Sequence, residues 1–256
     1  MRPASAVAAC ALLTACATAG GPLPSPTVSG YLDAAAVEAM AERFVAPPPS
    51  PSVWTGDLDP PSDRWWLATA HAELSPPEAA QHFDCALGTR LAARPRPALT
   101  RLMNRLLVDS AAVSARLAER HPRLRPVAVD RDLQPCQRIG TSTRDTPSWP
   151  AAAAVAGAAY GEMFAELAAD RAEAARFIGR ELGSSRVVCR MNWPQDVEAG
   201  QSIGRDVFRA ALQTPGFSAD LEAARAELAA ARAEGLTSPA CAAERRALGP
   251  IPGGGR

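Results

Sequence analysis

The sequence predicts an all-α protein organised as a single-domain helical bundle, and three observations support this expectation. Apolar residues between 97 and 120 recur at the three- and four-residue spacing of one helix face. Residues 150–169 are dominated by alanine, the strongest helix former. No convincing run alternates apolar and polar side chains as a half-buried strand would. We therefore expect helices packed on helices around one core.

The N-terminal end has the pattern of an export signal. Arg2 precedes a short apolar stretch, residues 4–13, which is too short to span a bilayer. It ends in Leu-Thr-Ala-Cys at 13–16, a lipobox pattern that predicts lipidation of Cys16. Residues 1–16 are then a lipoprotein signal peptide and 17–31 a flexible tether. The competing interpretation is ordinary cleavage near 17–19; both predict a periplasmic chain, the first one anchored to the membrane only through its lipid.

Export decides how the remaining cysteines are interpreted. With Cys10 inside the signal and Cys16 at its end, four cysteines belong to the mature chain. An even number in an oxidising compartment predicts two disulfides. No CxxC pair is present, so we expect no zinc site and no other metal. The four are Cys85, Cys136, Cys189 and Cys241.

The charge balance excludes one class of partner. The chain has 27 basic and 27 acidic residues, and every basic residue is arginine. Binding to a phosphate backbone requires a basic face, so we expect no nucleic acid partner. The arginine usage fits the coding bias of a GC-rich genome better than it fits a functional basic patch.

Helix boundaries follow from caps, prolines and glycines. In the first half we expect a helix over 32–44, one capped by Ser75 and running to about Leu91, and one over 97–120. In the second half we expect helices over 150–169, over 171–182 ended by Gly183, over 194–212, and from a Ser218 cap to Gly235. The helical domain is thus predicted to span 32–246, with a disordered tail at 247–256.

Three short stretches carry the functional information. They are Arg-Pro at 125–126, Pro-Ser-Trp-Pro at 147–150, and 185–196, which begins Ser-Arg and contains Asn192 and Asp196. Their order and spacing resemble the motifs Lys-x6-Arg-Pro, Pro-Ser-Gly-His and Ser-Arg-x5-His-x3-Asp of the type-2 phosphatidic acid phosphatase and vanadium haloperoxidase superfamily. The flanks at 47–51, 83–88 and 197–200 resemble the bacterial class A non-specific acid phosphatases, and the resemblance covers roughly 40–235.

The resemblance implies a mechanism whose reacting groups are missing here. In the family, the third-motif His attacks phosphorus, its Asp orients the ring, and the second-motif His protonates the leaving alcohol. These two His positions hold Asn192 and Pro150, and neither side chain performs that chemistry. The family's Lys position holds Ala118 and its Gly position holds Trp149. His121 lies near the lost Lys position and is the one weak candidate for a rescue.

The anion-holding half of the motif set is largely present. The resemblance implies phosphate binding by Arg125, Ser148 and Arg186, with Asp196 at its family position. A structural interpretation stands beside it: the arginines pair with Asp196 or backbone carbonyls, and Ser148 caps a helix. The structural interpretation is slightly favoured at this point.

The resemblance has further implications. It implies a bridge between Cys136 and Cys189 that clamps two motif loops, which leaves Cys85 with Cys241. The expected ligand is phosphate or a phosphomonoester, with no cofactor, and homo-oligomers are common in the family. The leading hypothesis is an inactive pseudo-phosphatase that retains part of a phosphate pocket. The alternative is an active periplasmic acid phosphatase with non-standard catalytic residues; a vanadate-dependent oxidase is least favoured because it needs the same missing His.

Overall fold

The computed structural model describes residues 28–48 and 62–253. This part of the chain contains eleven α-helices and no strand, which confirms the predicted all-α fold. The helices are α1 (Ala34–Glu42), α2 (Asp63–Ala70), α3 (Asp84–Leu87), α4 (Pro97–Arg120), α5 (Pro126–Val129), α6 (Thr141–Arg144), α7 (Ala152–Leu167), α8 (Ala172–Val188), α9 (Pro194–Leu212), α10 (Pro215–Ala233) and α11 (Cys241–Leu248).

Helix α7 lies at the centre and packs against α8, α9 and α4. Most of its side chains are buried, which explains the alanine-rich sequence: small side chains let the neighbouring helices come close. At Gly179 of α8 an added Cβ would lie 2.6 Å from the carbonyl oxygen of Gly157 in α7. The helices therefore touch backbone to backbone, and a larger residue there would force them apart.

The prediction that Gly183 ends a helix is wrong. Helix α8 continues through Gly183 to Val188. A Cβ at Gly183 would lie 2.9 Å from the Cβ of Ala154, so the glycine serves a close contact with α7. As a consequence, Ser185 and Arg186 lie on the last turn of α8 and are held by a rigid element.

The long helix expected between Ser75 and Leu91 is also wrong. The segment forms a 3-10 helix over Glu78–Phe83 followed by the single turn α3. Ser75 makes no side-chain cap; instead its backbone N–H donates to the Glu73 carboxylate over 2.7 Å. Gly88 ends α3 in the left-handed region, with φ of 66°.

The C-terminal part contains two further differences from the predictions. Helix α10 is capped by Thr214, whose side chain accepts from the Phe217 N–H, and not by Ser218. Helix α11 was not predicted, and Cys241 at its start forms a disulfide with Cys85. A second disulfide joins Cys136 and Cys189, so both predicted bridges are present.

Contacts extend past both predicted domain boundaries. The Tyr31 N–H donates to the Asp109 carboxylate of α4 over 2.9 Å. Beyond residue 246, Ile251 packs against the core and the Gly253 carbonyl accepts from Arg171. Cys16 and the predicted signal peptide lie outside the described residues. Among those that are described, no helix is both long and apolar enough to cross a membrane.

Candidate active site

The three motifs meet at one end of the bundle, joined by backbone hydrogen bonds. The Ser148 N–H donates to the Arg123 carbonyl over 2.7 Å, and the Ala151 N–H donates to the Asp196 carbonyl over 3.0 Å. The Val127 N–H donates to the Arg190 carbonyl over 3.3 Å. The predicted site residues therefore lie on loops and helix ends that the fold brings together.

Ser148, Asn192 and Asp196 form a closed hydrogen-bonded cluster. Asn192 donates from Nδ2 to the Ser148 carbonyl over 2.6 Å. The Ser148 hydroxyl donates to Oδ2 of Asp196 over 2.7 Å. Ser148 and Asp196 are fully buried and Asn192 is nearly so. Burial raises the pKa of Asp196 above its ordinary value, while Ser148 and Arg123 act in the opposite direction.

Arg123 is the residue that the sequence analysis missed. Its guanidinium forms an ion pair with Asp196 and also donates to the Pro47 carbonyl. The motif positions suggested Arg125 or Arg186 as the partner of Asp196, and neither forms this pair. A signal was available in the sequence: Pro122 ends the helix before Arg123, and side chains two apart in an extended chain point to the same side.

Trp149 fills the space beside this cluster. It is 1% exposed, and its ring lies edge-on to His121 with the ring centres 5.1 Å apart. Pro150 is buried next to it. In the described part of the chain, no hydrogen bond joins His121 to Ser148, Asn192 or Asp196. His121 instead faces an outer groove of about 700 Å³, which Pro47, Pro48 and Trp193 also line.

Ser185 is tied into the neighbouring helix. Its hydroxyl accepts from Arg64 of α2 over 2.8 Å and lies 2.8 Å from Nδ1 of His71. It donates to the Glu181 carbonyl one turn earlier. Burial holds the pKa of His71 well below its usual range, so the ring is neutral near pH 7. Ser185 thus connects α8 to α2.

Arg125 bridges the first and third motifs. It donates to the Met191 carbonyl over 2.7 Å, to Oδ1 of Asn192 over 3.3 Å and to the Thr146 hydroxyl over 3.0 Å. Burial lowers its pKa, and the charge of Asp196 acts against that shift. Arg125 is therefore partly satisfied by protein oxygens, as the structural interpretation expects.

Arg186 behaves differently. In the described part of the chain, its guanidinium makes no hydrogen bond and no ion pair. Burial lowers its pKa to about 10, and repulsion from Arg125 adds to the shift. Its side chain lines a cavity of about 70 Å³ beside the Cys136–Cys189 bridge, together with Thr143. That volume holds several water-sized groups and hence a small anion.

Ala118, at the lost Lys position, is a partly buried residue of α4 and supplies no cation. The cationic groups of the site are therefore Arg123, Arg125 and Arg186, of which Arg123 is neutralised by Asp196. Of the other two, Arg186 lines the small cavity and Arg125 is close enough for its charge to lower the pKa of Arg186.

Comparison with known proteins identifies the family. No family model matches the chain. The chain is 32% identical over 179 residues to the acid phosphatase of Zymomonas mobilis subsp. mobilis, covering 69% of this chain and 67% of the relative. It is 26% identical over 204 residues to the non-specific acid phosphatase of Salmonella typhimurium, covering 75% and 81%. With the motifs and the helical fold, these relatives show that the chain belongs to the class A non-specific acid phosphatase family.

Proposed function

We propose that this chain is an exported, catalytically inactive member of its family that binds phosphate or a phosphomonoester through Arg125 and Arg186. The observation that carries the proposal is the state of Arg186: a half-buried side chain that lines a small cavity, lies within reach of the charge of Arg125 and has no ion-pair partner among the described residues. The proposal has three parts, absence of catalysis, retention of binding and export, and separate experiments test them.

The absence of catalysis is supported by what occupies the nucleophile position. Asn192 has a carboxamide, which lacks the basic lone pair of an imidazole and does not form a phosphoryl intermediate. Both ends of that carboxamide are already engaged, Nδ2 with Ser148 and Oδ1 with Arg125. The side chain is fixed as a link between motifs.

The partner of Asp196 supports the same conclusion. In the family, this Asp orients the attacking His and stabilises the positive charge on its ring. Here the carboxylate is bound by the Arg123 guanidinium and the Ser148 hydroxyl. The cation that pairs with Asp196 is permanent, so the buried charge is compensated while no proton can be exchanged near pH 7.

Retention of binding is supported by the electrostatics of the two arginines. Enclosing a cation without an acceptor is costly, and a second cation beside it adds repulsion. A phosphate group would supply oxygens to both guanidinium forks and remove both costs. The charge interaction between Arg125 and Arg186 supports this part of the proposal, although the reacting residues are gone.

A turnover assay tests the first part. Purified protein is incubated with p-nitrophenyl phosphate at acid and neutral pH, and we expect no rate above the blank. The alternative function, an active acid phosphatase with displaced catalytic groups, predicts turnover that Arg186→Ala abolishes. That result would overturn the inactive assignment, and loss of the same rate in His121→Ala would identify the displaced group.

Phosphate binding tests the second part. Calorimetric titration and thermal melting with inorganic phosphate are compared with sodium chloride at equal ionic strength, which removes general screening effects. We expect heat and a raised Tm for the native chain and for Arg180→Met, an exposed arginine of the same helix. We expect neither for Arg186→Met. An unchanged response in Arg186→Met would contradict the assignment of the pocket.

Repair of the motifs provides a positive test. The quadruple variant Ala118→Lys, Trp149→Gly, Pro150→His and Asn192→His restores the four family positions. If Arg125 and Arg186 still form a phosphate cradle, this variant gains measurable hydrolysis that the native chain lacks. A folded but inert variant would show that the pocket geometry has been lost together with the reacting groups.

Within the export part of the proposal, the lipid anchor depends on Cys16. The two disulfides of the helical body are consistent with an oxidising compartment. Metabolic labelling with radioactive palmitate in a bacterial host should label the native chain and not Cys16→Ser. If the native chain is found in the periplasmic fraction but carries no label, the result would instead support cleavage without a lipid anchor.

A further inference from the structure

A second groove lies away from the motif loops, between α2, α11 and the 3-10 helix at Glu78–Phe83. Its volume is about 450 Å³. Four carboxylate side chains line it, together with an aromatic ring and an imidazole: Asp63, Glu73, Glu78, Glu244, Trp66 and His82. None of the family motifs contributes to this groove, so its acidic lining needs a separate explanation.

Glu244 is the residue that distinguishes the groove from an ordinary acidic surface. It is 5% exposed, and within the described residues its Oε1 has no hydrogen-bond partner. Burial raises its pKa to about 7, the nearby carboxylate of Asp84 adds to the shift, and Arg245 acts in the opposite direction. A buried carboxylate oxygen without a donor is a costly arrangement that a cationic ligand would relieve.

The other charged groups at the groove leave it negative. Asp63 is neutralised by Arg246 over 2.9 Å. Among the described residues, no ion pair involves Glu73, Glu78 or Glu244. His82 donates from Nε2 to the Glu73 carbonyl over 2.8 Å, and burial lowers its pKa, so it contributes no positive charge near pH 7. Arg245 is the remaining cation that acts on Glu244.

The apolar part of the lining limits the kind of cation. Trp66 is 61% exposed at the groove, next to Leu67. Aromatic faces attract ammonium groups, and alkyl stems of amines lie along apolar side chains while the charged end reaches a carboxylate. We propose that this groove binds an alkylammonium cation, with the ammonium group at Glu244 and the alkyl chain against Trp66.

Proton linkage gives the proposal a specific signature. Only ionised Glu244 attracts the ammonium group, so binding strengthens as pH rises through the pKa of about 7. Between pH 5.5 and 8.5 the ionised fraction rises roughly thirtyfold for such a group. Asp84, whose pKa burial raises to about 6, ionises in the same interval and changes the charge in the same direction.

The test is a calorimetric titration of the full chain with n-butylammonium chloride at pH 5.5, 7.0 and 8.5. We expect affinity at pH 8.5 to exceed that at pH 5.5 at least tenfold. Glu244→Gln should weaken binding at pH 8.5 about tenfold and remove most of the pH dependence. Glu222→Gln, an exposed carboxylate of α10, should leave both unchanged.

Two further measurements distinguish a loss of binding from a loss of the folded state. Trp66→Ala replaces an exposed side chain, so it should retain the native Tm while weakening butylammonium binding. n-Butanol, which has the alkyl chain without the charge, should not bind. Absence of butylammonium binding by the native chain, equal binding by Glu244→Gln, or equal binding of n-butanol would each overturn the proposal.

Discussion

The two halves of the candidate site differ in how their polar groups are satisfied. In the half around the lost nucleophile, Asn192 and Asp196 are joined through Ser148, and Asp196 also pairs with Arg123. In the half that the family uses for holding phosphate, Arg186 lines a small cavity and no partner for it lies among the described residues. The first half is closed by its own side chains, whereas in the second the Arg186 guanidinium has no partner among the described residues.

This difference shows how a catalytic site can lose chemistry without losing its fold. A buried carboxylate without a cationic partner is destabilising, so in the absence of the His the charge of Asp196 needs another partner. Arg123 forms the ion pair that compensates this charge, and Trp149 fills the adjacent space. The positive charge of Arg186 is neutralised by no side chain among the described residues, so the partner we propose for it is an external anion.

The largest expected effect comes from removing the ion pair between Arg123 and Asp196. Arg123→Met leaves Asp196 buried without its cation, and removal of one partner of a buried pair costs about 3–5 kcal/mol. Urea denaturation at pH 7 should show this loss in the free energy of unfolding. Arg116→Met, which removes exposed surface pairs, should cost no more than ~1 kcal/mol. A similar small loss in Arg123→Met would show that the closed half is not held by this pair.

A smaller effect is expected at the former nucleophile position. Asn192→Leu removes the donor to the Ser148 carbonyl and an acceptor of Arg125, and leaving such buried groups unpaired costs about 1–3 kcal/mol. The unfolding free energy of this variant should fall by that amount, with no gain of phosphatase activity. Gln201→Leu removes a longer, exposed amide hydrogen bond of α9 and serves as the matched control. Equal losses in both variants would argue against a structural role for Asn192.

The sequence predicted the helices whose ends are set locally. Helices α4 and α9 have the predicted bounds because each begins with a proline at the first helical position and continues with regular apolar spacing. Gly183 misled the prediction because its role is contact with Ala154, a residue distant in sequence. Tertiary packing, which one sequence does not display, decided that boundary.

The candidate site was predicted in position but not in pairing. Ser148, Asn192 and Asp196 do lie together, as the motif order implied, and Arg125 contacts Asn192. Arg123 was missed because it lies outside the three motifs, and its role depends on the path of the chain after α4. Helix α11 and Glu244 were missed as well, since a short helix with few apolar residues gives a weak periodic signal.

The smallest effect on stability is expected at Arg186, and it tests most directly whether the two halves of the site differ. Arg186→Met removes an unpaired charge and keeps much of the alkyl packing, so the free energy of unfolding in phosphate-free buffer should change by less than ~1 kcal/mol, in the direction of a gain. The measurement is urea denaturation at low ionic strength, where screening is weak.

The same variant should lose the stabilisation that phosphate gives the native chain, about 2.7 kcal/mol at a phosphate concentration one hundred times Kd. Arg180→Met should keep it. A loss of ~3 kcal/mol in Arg186→Met without phosphate would mean that this guanidinium is held by the protein itself, as Arg123 is. The two halves would then be equally structural, and phosphate binding would no longer be needed to explain the buried charge.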